Sequence, residues 1–600
     1  MKHSGVFGKK TTISISVLLA LLFFDSFALG LDSKRYISVD EVQTDMEAYC
    51  LTVYSGAKIE RFELKILSVI KDRTPGRDMI LVKGLDERFV HSSAVHGCSG
   101  SPVFIDGRLA GALAAGWDGS LDSLYLVRPI EEMLETGSVE SAGTASDSSA
   151  VAAGYDYSQP IDLDVFFQKN LDALRQCQTG PRMSLPLAVS LPADVCESNR
   201  ETFEQMGFMP FAASHAVSAE VDSGIKLERG GTLAAVLCGG DISMSAIGTV
   251  TEIVGDQVYG FGHSFTGQGP INIPMAAGVI HTVIAHRRSS FKFGTAGPIQ
   301  GTLLFDQEAS VRGTIGEQPN TIPLKISVKR YNDPKDRDYD CFLAVERNYT
   351  PRILMSVLAG AAQMQGKMPY ENTVTYEGQI KVKGFDPIHI NNISSGQGID
   401  QMIQRISSTV GMLLNNPFQE VVIESIEAGL QIIPEDRLSS IRAVDLSQTT
   451  VKPGQSVTAL VTLKSKRSEE TAVKISLTIP KGLPKGKYPL QILGPDQYQQ
   501  FVSKMAPHRF RAVDMPTLHA ALQESLQFRR DRLHIVMPIP STGLVIRQHE
   551  LADLPPTKML LMQDSKRLTQ IEPYKNWVEN SIEFDRVADG TAKIELTVDE

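Results

Sequence analysis

The sequence predicts a mainly β protein, with helices confined to a few stretches. Three observations carry this. Short apolar runs broken by Gly, Asp and Pro fill residues 36–134 and 222–329. Val457, Ala459, Val461 and Leu463, and then Val473, Ile475, Leu477 and Ile479, alternate strictly with polar neighbours. Helical readings are confined to a few stretches, the longest around residues 350–365 and 399–413. With 600 residues, 42% of them hydrophobic, the chain exceeds one core, because single cores stop growing at about 250–300 residues.

Residues 1–30 read as a secretory signal. Lys2, Lys9 and Lys10 precede "ISISVLLALLFF", and "SFALG" offers small residues for cleavage near Ala28 to Gly30. The expected mature chain is exported, periplasmic or extracellular. The apolar run is short against the ~20 residues that span a bilayer, and no later segment is long and apolar enough to cross one. No cysteine follows the small residues, which argues against a lipid anchor there.

Residues 31–137 contain the runs "AYCLTVYSG", "RFELKILSVI", "DMILVKG", "GSPVFIDG", "RLAGALAAG" and "LYLVRP", the pattern of a small barrel or sandwich closed by the short helix "IEEMLETG". Residues 138–221 open with the linker "SAGTASDSSAVAAG" and turn partly helical around "VFFQKNLDALRQ". Strands return over 222–329, where "SMSAIGTVTEI", the turn "VGDQ" and "VYGFGHSF" predict a hairpin delivering His263, and "MAAGVIHTVIAHR" shows helical spacing. Residues 330–439 are expected to be mixed α/β. One helix there should take Thr350 as N-cap with Pro351 at its first position, and another should carry Ile399, Met402, Ile403, Ile406, Val410 and Leu413 until "NNPF". The alternating residues place an immunoglobulin-like β-sandwich at 440–497, and 498–600 read as a mixed segment without an assigned role.

Composition removes several function classes. Net charge is −10, from 59 Lys+Arg against 69 Asp+Glu, and the basic residues are dispersed, so a nucleic-acid partner is not expected. CxxC and HExxH are absent and the histidines lack ligand spacing, so neither metal nor cofactor is expected. Six cysteines are too sparse for a disulfide framework, with Cys177 and Cys196 the best-placed pair, flanking one loop-rich segment.

The stretch "VHGCSGSPVF" carries the candidate chemistry. A serine hydroxyl becomes a nucleophile only with a base to take its proton and N–H donors to hold the developing oxyanion. Gly97 and Gly100 permit a tight turn aiming the amides of Gly97 and Ser99 at one spot, while Pro102 starts the next strand. A Gly/Ser-rich β-turn without chemistry fits the same letters.

A resemblance separates the two. "LTVYSGAKIERFELKILSV", "HGCSGSPVFIDGRLAGAL" and "RPIEEML" resemble the Ser-bearing part of the SpoIVB-type serine peptidases. "GTVTEIVGDQVYGFGHSF" and "FKFGTAGPIQGTLLFDQEASVRGTIG" resemble that family's His-bearing part. The resemblance implies a chymotrypsin-like double β-barrel in permuted order, Ser99 as nucleophile, His263 as general base, and a protein or peptide substrate. The order departs from the family: here Ser99 comes first and His263 follows 164 positions later, and the family's peptide-binding PDZ module is not evident. Triad geometry recurs with different chain orders, so the inversion is no obstacle. The acid behind His263 is expected to be Asp86, with Asp78 as the alternative. His96 reads as a loop residue near the cleft, and Cys98 as a buried thiol beside the oxyanion loop. The leading expectation is an exported serine endopeptidase, or one that cleaves itself. The alternative is a non-catalytic envelope scaffold that binds a partner protein.

Overall fold

The structure, a computed structural model, describes residues 32–74, 77–137, 155–177, 184–213, 224–265, 267, 269–396, 399–466, 470–562 and 571–599. The expected signal at 1–30 lies outside them, as do the linker "SAGTASDSSAVAAG" and the side chain of Cys177, and with it the Cys177–Cys196 pairing.

The chain is mainly β. Strands Glu47–Val53, Ile59–Thr74, Arg77–Gly84, Leu124–Pro129, Arg108–Gly116 and Pro102–Ile105 pair antiparallel in that order and close into a barrel through Tyr49↔Phe104 and Cys50↔Val103. The period-2 pattern shows in the first strand: along "EAYCLTV", Ala48, Cys50 and Thr52 are buried while Glu47, Tyr49 and Leu51 are more open. Phe62, Phe89 and Tyr125 fill the interior in a row, Phe62 stacked on Phe89 at 4.6 Å and Tyr125 tilted against Phe89 at 5.4 Å between centroids. The Asp106–Gly107 turn, with φ of +48° and +78°, is the left-handed pair that a two-residue hairpin requires.

Six further strands form a second ring. Thr232–Gly240 pairs with Met244–Val254, which pairs with Gln257–Gly260; this pairs with Ser310–Ile315, which pairs with Ser290–Gln307, and Gly269–Ile284 returns the ring to Thr232–Gly240. The hairpin around "VGDQ" turns between Val254 and Gln257. The helical expectation for "MAAGVIHTVIAHR" is corrected: most of it lies in strand Gly269–Ile284. There Met275, Ala276 and Ile280 are sealed by neighbouring strands, and the β-branched run Val279 to Ile284 suits a ladder better than a helix.

This ring is part of a larger sheet. On one side Thr232–Gly240 continues into Arg337–Ala344, Thr321–Arg330, Ile423–Ile433, Thr373–Val382 and Ile388–Ser395. On the other, Met244–Val254 continues into Leu185–Val189 and its parallel neighbour Phe208–Ala212, so the later part of 138–221 is built into the sheet rather than serving as a connector. Helices Thr350–Gln363 and Asp400–Leu414 bury Leu354, Val357, Leu358 and Met402, Ile406, Val410 in the core under this sheet. The first helix begins at Thr350 with Tyr349 as its N-cap, one residue before the expected cap. The Thr350 hydroxyl instead accepts from Glu346 N and donates to Ala344 O.

Beyond Leu438 two sheets face each other. One holds Leu438–Leu446, Ser456–Ser465, Thr471–Thr478 and Val587–Asp589; the other holds Thr450–Val451, Gly486–Leu493, Arg532–Ile539, Asn576–Glu583 and Thr591–Val598. The sandwich is therefore not confined to 440–497. The residues facing Val457, Val461 and Ile475 include Leu533, Ile535 and Leu596, from the segment left unassigned by its weaker alternation.

Candidate active site

The site forms where the two rings meet. Strand Val95–His96 leaves the first ring to pair in parallel with Ser290–Gln307 of the second. The chain then turns through Gly97 and Gly100, with φ of +91° and +92°, before entering Pro102–Ile105. Gly100 allows the approach: a Cβ there would stand 2.1 Å from Thr249 O and 2.5 Å from Phe261 N. Four successive carbonyls are tied down. Gly97 O accepts from Thr249 Oγ1 at 3.0 Å, Cys98 O from Ser101 N at 2.9 Å, Ser99 O from Thr249 N at 2.9 Å, and Gly100 O from Thr251 Oγ1 at 2.7 Å.

His263 arrives from the opposite side. After strand Gln257–Gly260 the chain takes two left-handed residues, Phe261 at φ +64° and Gly262 at +68°, which swing His263 out of the ladder. A phenylalanine in this conformation costs roughly 1–2 kcal/mol, offset here by full burial of its ring, which packs 5.0 Å from Phe265. His263 Nε2 lies 3.1 Å from Ser99 Oγ, and Nδ1 lies 2.9 Å from the Ser264 carbonyl. A carbonyl can only accept, so Nδ1 donates to it and Nε2 accepts from the serine hydroxyl. That is the tautomer a general base needs. Both residues are buried, Ser99 completely and His263 to 7% exposure.

The segment after His263 is held by Asp306. This fully buried carboxylate accepts from Phe265 N at 2.8 Å and Gly267 N at 3.0 Å. Glu346 lies close enough to feel its charge. Burial, and to a lesser degree Asp306, raise the Glu346 carboxyl to about 7 against the pull of the Tyr349 and Asn348 amides.

The expected acids lie elsewhere. Asp86 is not placed behind His263: it caps helix Glu87–Ser92, accepting from Arg88 N at 2.9 Å and from the Arg88 guanidinium at 3.1 and 3.2 Å. The reason is local, since an Asp before "ERFVHS" satisfies the free amides of a helix start. Asp78, the alternative, accepts from Lys71 Nζ at 2.8 Å and Asp72 N at 3.0 Å. His96 turns away from Ser99, its ring nitrogens 2.8 Å from Ser184 O and 2.7 Å from Asp118 Oδ1. Cys98 is buried, and burial pushes its thiol up, which leaves it a poor nucleophile.

Sequence reasoning missed Asp306, Thr249 and Lys292. The first two sit within the resembling blocks without any motif to mark them. Lys292 had a signal: in "FKF" it alternates with Phe291 and Phe293, whose rings pack against Phe211, so the lysine occupies the opposite face of a strand covered on both sides.

Residues 27–120 match the family model of the SpoIVB peptidase S55. The match supports a SpoIVB-type peptidase family, spans the Ser-bearing ring as far as Ser120, and ends well before His263. Comparisons with curated proteins and with solved structures returned no match. At the level of the family the SpoIVB match supports a serine peptidase, and with it protein substrates.

Proposed function

We propose that this chain is an exported serine endopeptidase whose nucleophile is Ser99 and whose general base is His263. The observation that carries the reading is the 3.1 Å contact between Ser99 Oγ and His263 Nε2, made by residues 164 positions apart on two different rings. Two six-stranded rings meeting at a Ser–His pair suit a chymotrypsin-like double barrel read in inverted order. In the first half-reaction Oγ bonds to the peptide carbonyl carbon as its proton passes to Nε2. The C–N bond then breaks, and the leaving amine takes that proton. Water, deprotonated by the same nitrogen, releases the acyl group and restores the serine. The amides of Gly97 and Ser99 are the proposed oxyanion donors, supported by a loop whose carbonyls at 97 to 100 are engaged with the protein. The Ser264 carbonyl takes the orienting role that an aspartate has in Ser-His-Asp enzymes. Export rests on the signal-like residues 1–30, and a mature chain starting near Leu31 is its check.

Fluorophosphonate labelling of the intact protein tests the chemistry, and because Ser99 is buried it also asks whether a substrate-like probe reaches it. Label on Ser99 is expected, lost in Ser99→Ala and in His263→Ala, with the double variant no worse than either. Removal of either member of such a unit lowers turnover on the order of 10⁶-fold. A folded wild-type protein that takes no label, or a Ser99→Ala variant that labels undiminished, would leave the two rings as a binding scaffold.

A further inference from the structure

Lys292 is fully buried, a state lysine almost never adopts without a paired carboxylate. Its Nζ donates to Thr52 Oγ1 at 2.7 Å and to Thr249 Oγ1 at 3.1 Å. Thr249 passes the interaction on, donating to Gly97 O at 3.0 Å, while Ser101 donates to Thr52 at 2.9 Å. Burial pushes the Lys292 ammonium itself downward from the ordinary lysine range, and the titratable groups that act on it are the Cys50 and Cys98 thiols, both buried and both pushed upward by burial. The lysine stem lies directly under the serine loop: a Cβ on Gly97 would stand 3.0 Å from Lys292 Cβ.

Stability does not account for this arrangement. Burying an ammonium costs several kcal/mol even after relaxation, and an apolar side chain of similar volume would avoid that cost. Location does account for it. A hydrogen-bond donor fixed in a dry site needs no reorganisation when the reaction occurs. The chain Lys292 Nζ to Thr249 Oγ1 to Gly97 O also draws one peptide carbonyl of the loop inward, which sets the orientation of the peptides on either side.

We propose that Lys292 is a positioning residue for acyl transfer: through Thr249 it holds the Gly97 carbonyl turned into the protein, and so fixes the peptides of the serine loop that flank it. This rests on the serine peptidase reading above.

The test is the rate of fluorophosphonate inactivation of the full chain, separated into binding (KI) and reaction (kinact). It compares wild type, Lys292→Met, Thr249→Val, Thr249→Ser and the Lys292→Met/Thr249→Val double variant, each checked for folding by circular dichroism. Lys292→Met and Thr249→Val are expected to lower kinact about tenfold or more, short of the 10²–10³-fold that follows loss of a direct oxyanion donor, with KI little changed. Thr249→Ser keeps the hydroxyl and should react near the wild-type rate. The double variant should be no slower than the slower single, because both changes cut one chain. A folded Lys292→Met with wild-type kinact overturns the proposal, and so does a Thr249→Ser as slow as Thr249→Val. Should Lys292→Met fail to fold, the two Thr249 variants decide. A wild type that never labels at Ser99 overturns the peptidase reading and this proposal together, whereas a labelling wild type with unaffected variants overturns this proposal alone.

Discussion

Replacing Gly100 with alanine perturbs the seam between the rings at one atom. The Cβ would be placed 2.1 Å from Thr249 O and 2.5 Å from Phe261 N, both backbone atoms that cannot swing aside. Real Cβ contacts essentially never fall below 3.0 Å, so from 2.1 Å the loop must retreat by about 0.9 Å. The Ser99 Oγ to His263 Nε2 contact, 3.1 Å in the structure, then opens toward about 4 Å, beyond hydrogen-bond reach. A misplacement of about 1 Å in a reacting pair is enough to cost about 10²-fold in rate. Left-handed alanine adds roughly 1–2 kcal/mol of backbone strain. Gly100→Ala is thus expected to lower the fluorophosphonate labelling rate about 100-fold. The control is Gly107→Ala, at φ +78° with nothing within 4 Å of its Cβ, which should pay only the strain and label normally. Labelling rate and thermal midpoint measured on both variants decide. A Gly100→Ala protein that labels as fast as Gly107→Ala would refute the reasoning, because the seam would then not set the Ser–His distance.

Asp86→Ala should destabilise the protein by about 1 kcal/mol in urea titration, through loss of a helix cap, while the labelling rate stays unchanged; a loss near the 10⁴-fold seen for a triad aspartate would return Asp86 to the site. Asp306→Asn presents an N–H₂ where Phe265 N or Gly267 N needs an acceptor, so it should cost about 1–3 kcal/mol of stability and slow labelling together, read by urea titration and probe kinetics on one preparation. Glu346, raised to about 7, stays protonated in the folded state below that pH, while the unfolded chain ionises at its ordinary 4.5. Its contribution is therefore complete below about pH 4.5 and is lost as pH rises through 7, a change of about 3 kcal/mol. Glu346→Gln should flatten that part of the stability profile, and an unchanged slope between pH 5 and 7 would contradict the assignment.

The Ser-bearing strands were legible because each is a short apolar run bounded by Gly, Asp or Pro turn residues, and Gly97 and Gly100 announced a tight turn around Ser99. His263 was legible through the hairpin that delivers it and through the resemblance, not through any local spacing to Ser99. Asp86 misled because an aspartate ahead of a short helix and an aspartate behind a histidine look alike in one dimension. Strand Gly269–Ile284 misled because small apolar residues such as Met275 to Gly278 satisfy helical and strand spacing equally, and the choice is made by the strands on either side. The sandwich strands after Arg532 were missed for a related reason: strand Arg532–Ile539 is buried along most of its length, so it lacks the alternation that marked Val457 to Leu463.

By itself the sequence determined the β character, the serine turn and the two residue types that could do the chemistry, because these depend on local backbone freedom and on patterns a few residues long. Only the tertiary structure decided that Ser99 and His263 meet, that a backbone carbonyl and not Asp86 faces the far nitrogen of the imidazole, and that Asp306 and Lys292 stand behind the site. Those are relations between residues tens to hundreds of positions apart. They are set by how the two rings pack, and a buried charge declares its purpose only once its neighbours are in place.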